Sequence, residues 1–390
     1  MSAASKKHVG VNLLWLVPEV VGGSEEYITR LLRAVAESPP EDIDITLFAL
    51  TPFATAHHDL SGSFRTVLAR SDGSNKAARV ALESSWLGRH AVRHRLHLLH
   101  HTGGVIPPGP FVAKTPAALT IHDLQPLVMP ENFSATKRRW LTTMIPHSAK
   151  RARVVMTPSD PASAQVVSRL GIDRAKVRTV PHGIEPHVLL EEELIGRTRS
   201  KYQLGSQVIL YPAITYPHKD HMTLLRAFER LAKHRRSLTL VLTGSQGSAE
   251  GELAAAIRQS AVSDQVRRTG RIPAEDLQAL YEIADIVAIP SRFEGFGNPA
   301  LEAMSAGTPV VVADATALPW VVGDAGLKVP VGDVGRWEDA LARILDQPRL
   351  ARTLQAAGKI RASAFGWERA GEALVSSYRV ALEMGETEDR

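Results

Sequence analysis

Residues 293–311 read Phe-Glu-Gly-Phe-Gly-Asn-Pro-Ala-Leu-Glu-Ala-Met-Ser-Ala-Gly-Thr-Pro-Val-Val, and they place two carboxylates, Glu294 and Glu302, around a glycine-punctuated loop. Gly295 and Gly297 permit backbone conformations and close approaches that a side chain would forbid, so main-chain N–H groups can face a ligand. Asn298 reads as a helix N-cap and Pro299 as a first-turn proline. The helix they open would end at Gly307, and the run after it has the character of a buried parallel strand. Unpaired N–H groups and the positive end of a helix dipole suit phosphate, whereas carboxylates accept hydrogen bonds from hydroxyls. A ligand carrying both phosphate and sugar fits this combination.

The elements that must position these groups follow from periodicity. Val9 to Val17, Ile43 to Leu50, Ala117 to Ile121 and Val154 to Thr157 read as strands, with helices over Ser24 to Ser38 and Ala135 to Arg151. A second series begins at Val208 to Tyr211 and continues through Leu238 to Thr243, Val266 to Thr269, Ile286 to Pro290 and Pro309 to Ala313. Met222 to His234 and Glu275 to Ala284 are its helices. Strand, crossover helix and strand in repetition predict an α/β protein of two doubly wound, Rossmann-like domains. The expected division is 1–185 and 186–390.

Composition narrows the chemistry. The 390 residues are 44% hydrophobic and 22% charged, enough for two ordinary cores. With no cysteine there can be no disulfide, thiol nucleophile or cysteine-ligated zinc. Lys6-Lys7 followed by Val9 to Val17 imitates a leader peptide, but Asn12 interrupts the run and Pro18-Glu19 replaces a small-residue cleavage site, so a first buried strand is expected. No histidine and carboxylate cluster has convincing metal-ligand spacing, and no bound metal or cofactor is expected. Residues 1–185 hold 22 Lys+Arg against 15 Asp+Glu, and the remainder 24 against 26. The basic excess gathers in Arg89, Arg93 and Arg95 and in Lys137, Arg138, Arg139, Lys150, Arg151 and Arg153, interleaved with Trp140, Leu141, Met144 and Ile145. That pattern describes a solvated helix face, or a surface for anionic lipid. No nucleic-acid-binding module accompanies it.

Other motifs occur in a fixed order along the chain: Gly22-Gly23-Ser24-Glu25, Thr120-Ile121-His122-Asp123-Leu124, Pro181-His182-Gly183-Ile184, Pro217-His218-Lys219-Asp220-His221, Thr269-Gly270-Arg271-Ile272 and Gly323-Asp324-Ala325-Gly326. Together with the Glu294 and Glu302 motif, this set resembles the retaining nucleotide-sugar glycosyltransferases of family four, over nearly the whole chain. The resemblance implies the GT-B arrangement, two facing doubly wound domains with a cleft, and a last helix, about 367–384, that returns to the N-terminal domain. It implies that Lys219 meets the donor diphosphate and Glu302 the ribose hydroxyls. Glu294 and the N–H groups of Gly295, Phe296, Gly297 and Asn298 would hold the donor sugar. His122 would lie at the transferred sugar, and Gly22 and Gly23 near the diphosphate. The catalytic set is therefore His122, Lys219 and Glu294. Ser159, Asp160 and His100 to Gly104 are weaker candidates for the acceptor side.

Two departures from the family stand out. Tyr211 to Tyr216 contain no arginine, leaving His218, if protonated, as the second cation near the diphosphate; and Trp320 stands where a glutamate is usual. The expected reaction moves a hexose, mannose from GDP-mannose being favoured by likeness to bacterial mannosyltransferases of surface-glycan assembly, to a glycan or lipid-linked hydroxyl. UDP-sugar donors are the alternative. An epimerase, a phosphorylase or a non-catalytic nucleotide-sugar binder would share the architecture. The expected location is cytoplasmic, at the inner face of the membrane if the basic surface binds lipid. Acceptor specificity is not legible, because residues 51–100 carry no interpretable motif.

Overall fold

Short runs of Val, Ile and Leu separated by amphipathic segments bury both faces of each strand in a parallel sheet covered by helices. The computed structural model, which describes residues 6–18 and 22–388, contains two such sheets. The first consists of β1 (Lys7–Asn12), β2 (Ile43–Leu50), β3 (Arg65–Ala69), β4 (Leu98–His101), β5 (Ala117–Thr120), β6 (Val154–Thr157) and β7 (Val177–Thr179), in the order β3-β2-β1-β4-β5-β6-β7. The second consists of β8 (Gln207–Pro212), β9 (Leu238–Thr243), β10 (Val266–Gly270), β11 (Ile286–Ile289), β12 (Val310–Ala313) and β13 (Gly326–Val329), in the order β10-β9-β8-β11-β12-β13. All pairings are parallel. The strand order reverses between β1 and β4 and again between β8 and β11, and ligands of open parallel sheets bind beyond the carboxyl ends at such switch points.

The chain forms two compact units, one running to Gly183 and resuming at Trp367, the other spanning Ile184–Gly366. The terminal helix Trp367–Glu388 lies on helix Gly23–Glu37, where a Cβ added to Gly371 would stand 3.3 Å from that of Ala34. Its Ala370, Leu374, Val375, Tyr378 and Ala381 share one core with Val9, Val11 and Ile28. Arg379 clasps Asp42 with two hydrogen bonds of 2.8 and 2.9 Å.

Element boundaries follow the sequence reading closely, with one instructive exception. The first strand stops at Asn12, although Leu13, Leu14 and Leu16 continue the buried apolar run. Asn12 Oδ1 accepts the Leu14 N–H at 3.1 Å, and this Asx turn diverts the chain while its leucines stay in the core. Strands β3, β4, β7 and β13 were not legible as strands. They are three to five residues long, and β4 includes two fully buried histidines, His100 and His101. Among the described residues no helix is long and apolar enough to cross a membrane.

Candidate active site

Most of the predicted donor-site residues gather at the carboxyl edge of the second sheet, beside the β8/β11 switch. The segment after β8 forms a short 3₁₀ turn, Pro217–Lys219, ahead of helix His221–Ala232. The segment after β11 leads to helix Asn298–Ala306. Lys219 Nζ donates to Glu294 Oε1 at 2.6 Å, so the residue expected at the diphosphate and the residue expected at the sugar meet as a half-buried ion pair. Arg292, the other cation near Glu294 in sequence, bonds Asp220 at 3.0 Å instead.

Two non-glycine residues with positive φ hold this pair. Asp220, φ +50, turns the chain directly after Lys219; Thr316, φ +49, accepts the Glu294 N–H on its hydroxyl at 2.9 Å. Such conformations are costly and persist where surrounding contacts over-determine them. Tyr211, fully buried, donates its hydroxyl to the Lys219 carbonyl at 2.8 Å and lies 2.9 Å from Ser291 Oγ. The sequence contains no local signal for the roles of Tyr211 or Thr316, because each acts through a contact made across the fold.

Gly297 has φ +112 and an added Cβ would meet Leu318 Cδ2 at 2.7 Å, so this loop position admits glycine alone without rearrangement. The helix begins one residue earlier in role than expected: Gly297 is the N-cap and Asn298 the first helical residue, with no side-chain cap. A non-helical backbone at Gly297 already terminates the ladder, and Asn298 Oδ1 is left buried without a partner. Phe296 is 4% exposed, edge-on to Trp320 and Phe365 at 6.2 and 5.7 Å, and Arg361 lies 6.0 Å over Trp320. The Phe296 side chain is thus an anchor for the loop, and Trp320, the departure from the family pattern, is part of that anchor. Gly295 and Glu302 are half-buried, and Glu302 accepts a short hydrogen bond from the hydroxyl of Tyr281, itself 4% exposed.

His218 is disfavoured as the second cation near the diphosphate. Burial, followed by the neighbouring Lys219 charge, pushes its imidazole down to about 4, which leaves it neutral at pH 7. Its ring stacks on Tyr216 at 5.7 Å and its Nδ1 is buried without a partner.

Gly22, Gly23 and His122 belong to the first unit. Gly22, φ +70, is the N-cap of helix Gly23–Glu37, and a Cβ on either glycine would meet no atom of the described residues beyond its chain neighbours within 4 Å. His122 Nε2 lies 2.9 Å from the Thr102 carbonyl, which can only accept, so the proton sits on Nε2 and Nδ1 is the free lone pair. Burial pushes this ring to about 4. Asp123 Oδ1 accepts the Gln125 N–H at 2.8 Å, closing an Asx turn; the Thr102 carbonyl orients the imidazole. Of the weaker candidates, Ser159 caps helix Asp160–Leu170, Asp160 accepts from Thr179, and His100 is bridged between Tyr378 and Thr120 at 2.8 and 2.7 Å. His182 stacks on Tyr27 at 4.2 Å, and Trp367 covers Gly183 so closely that a Cβ there would lie 2.4 Å from its ring.

These buried histidines set an acid limit on stability. His100, His101 and His182 are pushed by burial to about 3 and His122 to about 4, all within the first unit. Below pH 6.5 the unfolded chain binds protons at these positions and the folded chain does not, so stability falls with pH, by about 1.4 kcal/mol per group per unit. Glu83, raised by burial to about 7, opposes this as a single group between pH 7 and 4.5. Urea unfolding should therefore show a loss of several kcal/mol between pH 7.5 and 5; equal midpoints at the two pH values would refute it.

Among the described residues no group of three or more His, Asp or Glu is arranged to hold a metal ion. Residues 21–188 match the family described as Glycosyltransferase Family 4, and residues 197–361 match Glycosyl transferases group 1. The chain is 29% identical over 273 residues to O-antigen chain mannosyltransferase B of Escherichia coli, a match covering 68% of this chain and 70% of that protein. It is 32% identical over 220 residues to D-inositol 3-phosphate glycosyltransferase of Segniliparus rotundus, covering 55% of this chain and 49% of that one. The structure superposes on Anabaena Alr3699/HepE in complex with UDP with a TM-score of 0.72 at 18% identity, covering 96% and 99% of the two chains. The chain therefore belongs to the glycosyltransferases, with a family 4 domain followed by a group 1 domain on the GT-B fold.

Proposed function

We propose that the chain is a retaining, metal-independent hexosyltransferase that takes mannose from GDP-mannose and passes it to a hydroxyl of a glycan or lipid-linked acceptor. The observation that carries this reading is the joint placement of Lys219, Glu294 and the Gly297 N-cap at one sheet edge. Departure of a nucleoside diphosphate builds negative charge on the leaving oxygens; Lys219 and the N–H groups opening helix Asn298–Ala306 neutralise it without a cation from solution. Glu294 accepts from the sugar hydroxyls. Glu302, held by Tyr281, accepts from the ribose. The acceptor attacks from the leaving-group side and gives its proton to the departing phosphate oxygen, so no side-chain base is used. An inverting reaction would instead use His122 oriented by Asp123, and the bond to Thr102 argues against that dyad.

The name of the Escherichia coli relative favours a mannosyl donor. The UDP in the Anabaena structure keeps UDP-sugars as the second reading. NMR of the product from an α-linked donor, formed in EDTA, tests both mechanistic parts: an α-glycoside is expected. A β-glycoside would overturn retention, and loss of activity restored by magnesium or manganese would overturn metal independence. A thermal-shift comparison of GDP with UDP ranks the donors.

We also infer a peripheral membrane contact. Helix Ala135–Arg151 exposes Lys137, Arg138 and Arg139 beside Trp140, which is 41% exposed. Cosedimentation with phosphatidylserine vesicles at low salt, reversed at high salt, is the expected result; no binding at low salt would remove this contact.

A further inference from the structure

The segment that carries no readable motif, residues 51–100, places a carboxyl group at the β1/β4 switch of the first sheet. Asn12 is the last residue of β1 and His101 the last of β4. Between the helices Lys76–Ala81 and Leu87–Arg93 the chain forms a π-helical turn, Leu82–Trp86, that carries Glu83. Such turns are uncommon and are found frequently at functional sites, because the widened register displaces a side chain that a regular helix would place elsewhere.

Asn12, 1% exposed, is fully committed. Its Oδ1 accepts from Leu14, and its Nδ2 donates to Glu83 Oε1 at 2.8 Å and lies 3.5 Å from His101 Nδ1. The second oxygen of Glu83, a half-buried residue, has no hydrogen-bond partner among the described residues and is reached by solvent. His101 is wholly buried, and with Nδ1 facing the Asn12 amide its proton belongs on Nε2, a buried donor without a partner. Unsatisfied buried donors are rare in native folds. A buried donor without a partner and a solvent-reached carboxyl oxygen thus flank a fixed amide at a ligand-binding edge.

Resting on the transferase reading above, we propose that Glu83, bracketed by Asn12 and flanked by His101, binds a hydroxyl of a pyranose ring in the acceptor. A hydroxyl both donates and accepts, as does a carboxyl group that burial has pushed up to about 7. An anion is disfavoured by the carboxylate form. An ammonium group is disfavoured by Arg79, whose charge already acts on Glu83. An apolar group would displace water from the Glu83 carboxyl and leave the His101 donor unpaired.

The test uses the full chain with GDP and methyl α-D-mannopyranoside as the probe, read by saturation-transfer NMR. The unsubstituted chain should show saturation of the pyranoside protons, falling at least fivefold in Glu83→Ala. Glu83→Gln keeps an oxygen for Asn12 and the volume of the side chain; it should unfold at the unsubstituted temperature, yet lose at least half of the signal. Signals equal in all three proteins, no signal in the unsubstituted chain, or a signal that falls only with the unfolding temperature would overturn the site. Thermal shifts with GDP and UDP separate the two readings. A nucleotide shift with a Glu83-independent sugar signal sinks this site alone, whereas a Glu83-dependent signal with no nucleotide shift sinks the transferase reading.

Discussion

Glu294→Gln should lower turnover on the order of 10²–10³-fold while leaving nucleoside diphosphate affinity unchanged or higher. The two effects diverge because Glu294 has two roles in this structure. Its carboxylate is the group assigned to the donor sugar, where it stabilises the reacting ring. It is also the 2.6 Å partner of Lys219, and a free nucleoside diphosphate must compete with it for that ammonium group. The amide keeps the shape and the Thr316 bond to the backbone N–H but surrenders the charge, which releases Lys219 toward phosphate. Steady-state kinetics with calorimetry of the free diphosphate decides it. Parallel losses in turnover and nucleotide affinity would mean that Glu294 acts on the nucleotide, and the sugar assignment would be wrong.

Lys219→Ala and Glu302→Ala should each weaken nucleoside diphosphate binding by about 1.5–3 kcal/mol, roughly 10- to 150-fold, through different parts of the ligand. Lys219 is assigned to the diphosphate, so its loss should also abolish competition by inorganic pyrophosphate. Glu302 is assigned to the ribose, so its variant should retain pyrophosphate competition. Tyr281→Phe removes the hydroxyl that holds Glu302 and should reproduce part of the Glu302 effect. Lys219→Ala also strips the half-buried Glu294 carboxylate of its partner, and its unfolding temperature must be compared at saturating and zero nucleotide to separate folding from binding. Affinity equal to that of the unsubstituted chain in both Lys219→Ala and Glu302→Ala would remove the donor site from this sheet edge.

What the sequence by itself determined is what local chemistry controls. The alternation of β-branched runs with amphipathic helices pointed to two parallel sheets, since strand-helix-strand crossovers cover both faces of a sheet with helices. Gly297, Asn298 and Pro299 marked the start of a helix, and spacing alone put Glu294 before it and Glu302 within it. The tertiary structure decided every relation carried by crossovers. Lys219 and Glu294 are 75 positions apart and meet because β8 and β11 are neighbours at the switch. Glu83 and Asn12 are 71 apart and meet at the corresponding edge of the first sheet. Burial, too, is a property of the assembled fold: it lowered the pKa of His218, which the sequence left open as a second cation, turned Phe296 and Trp320 into packing anchors, and set His122 against the Thr102 carbonyl. Periodicity and turn chemistry act within a few residues and can be read along the chain. Ion pairs, shifted protonation and strained backbone at Asp220 and Thr316 depend on which loops a parallel topology brings to one edge, and no window of sequence contains that information.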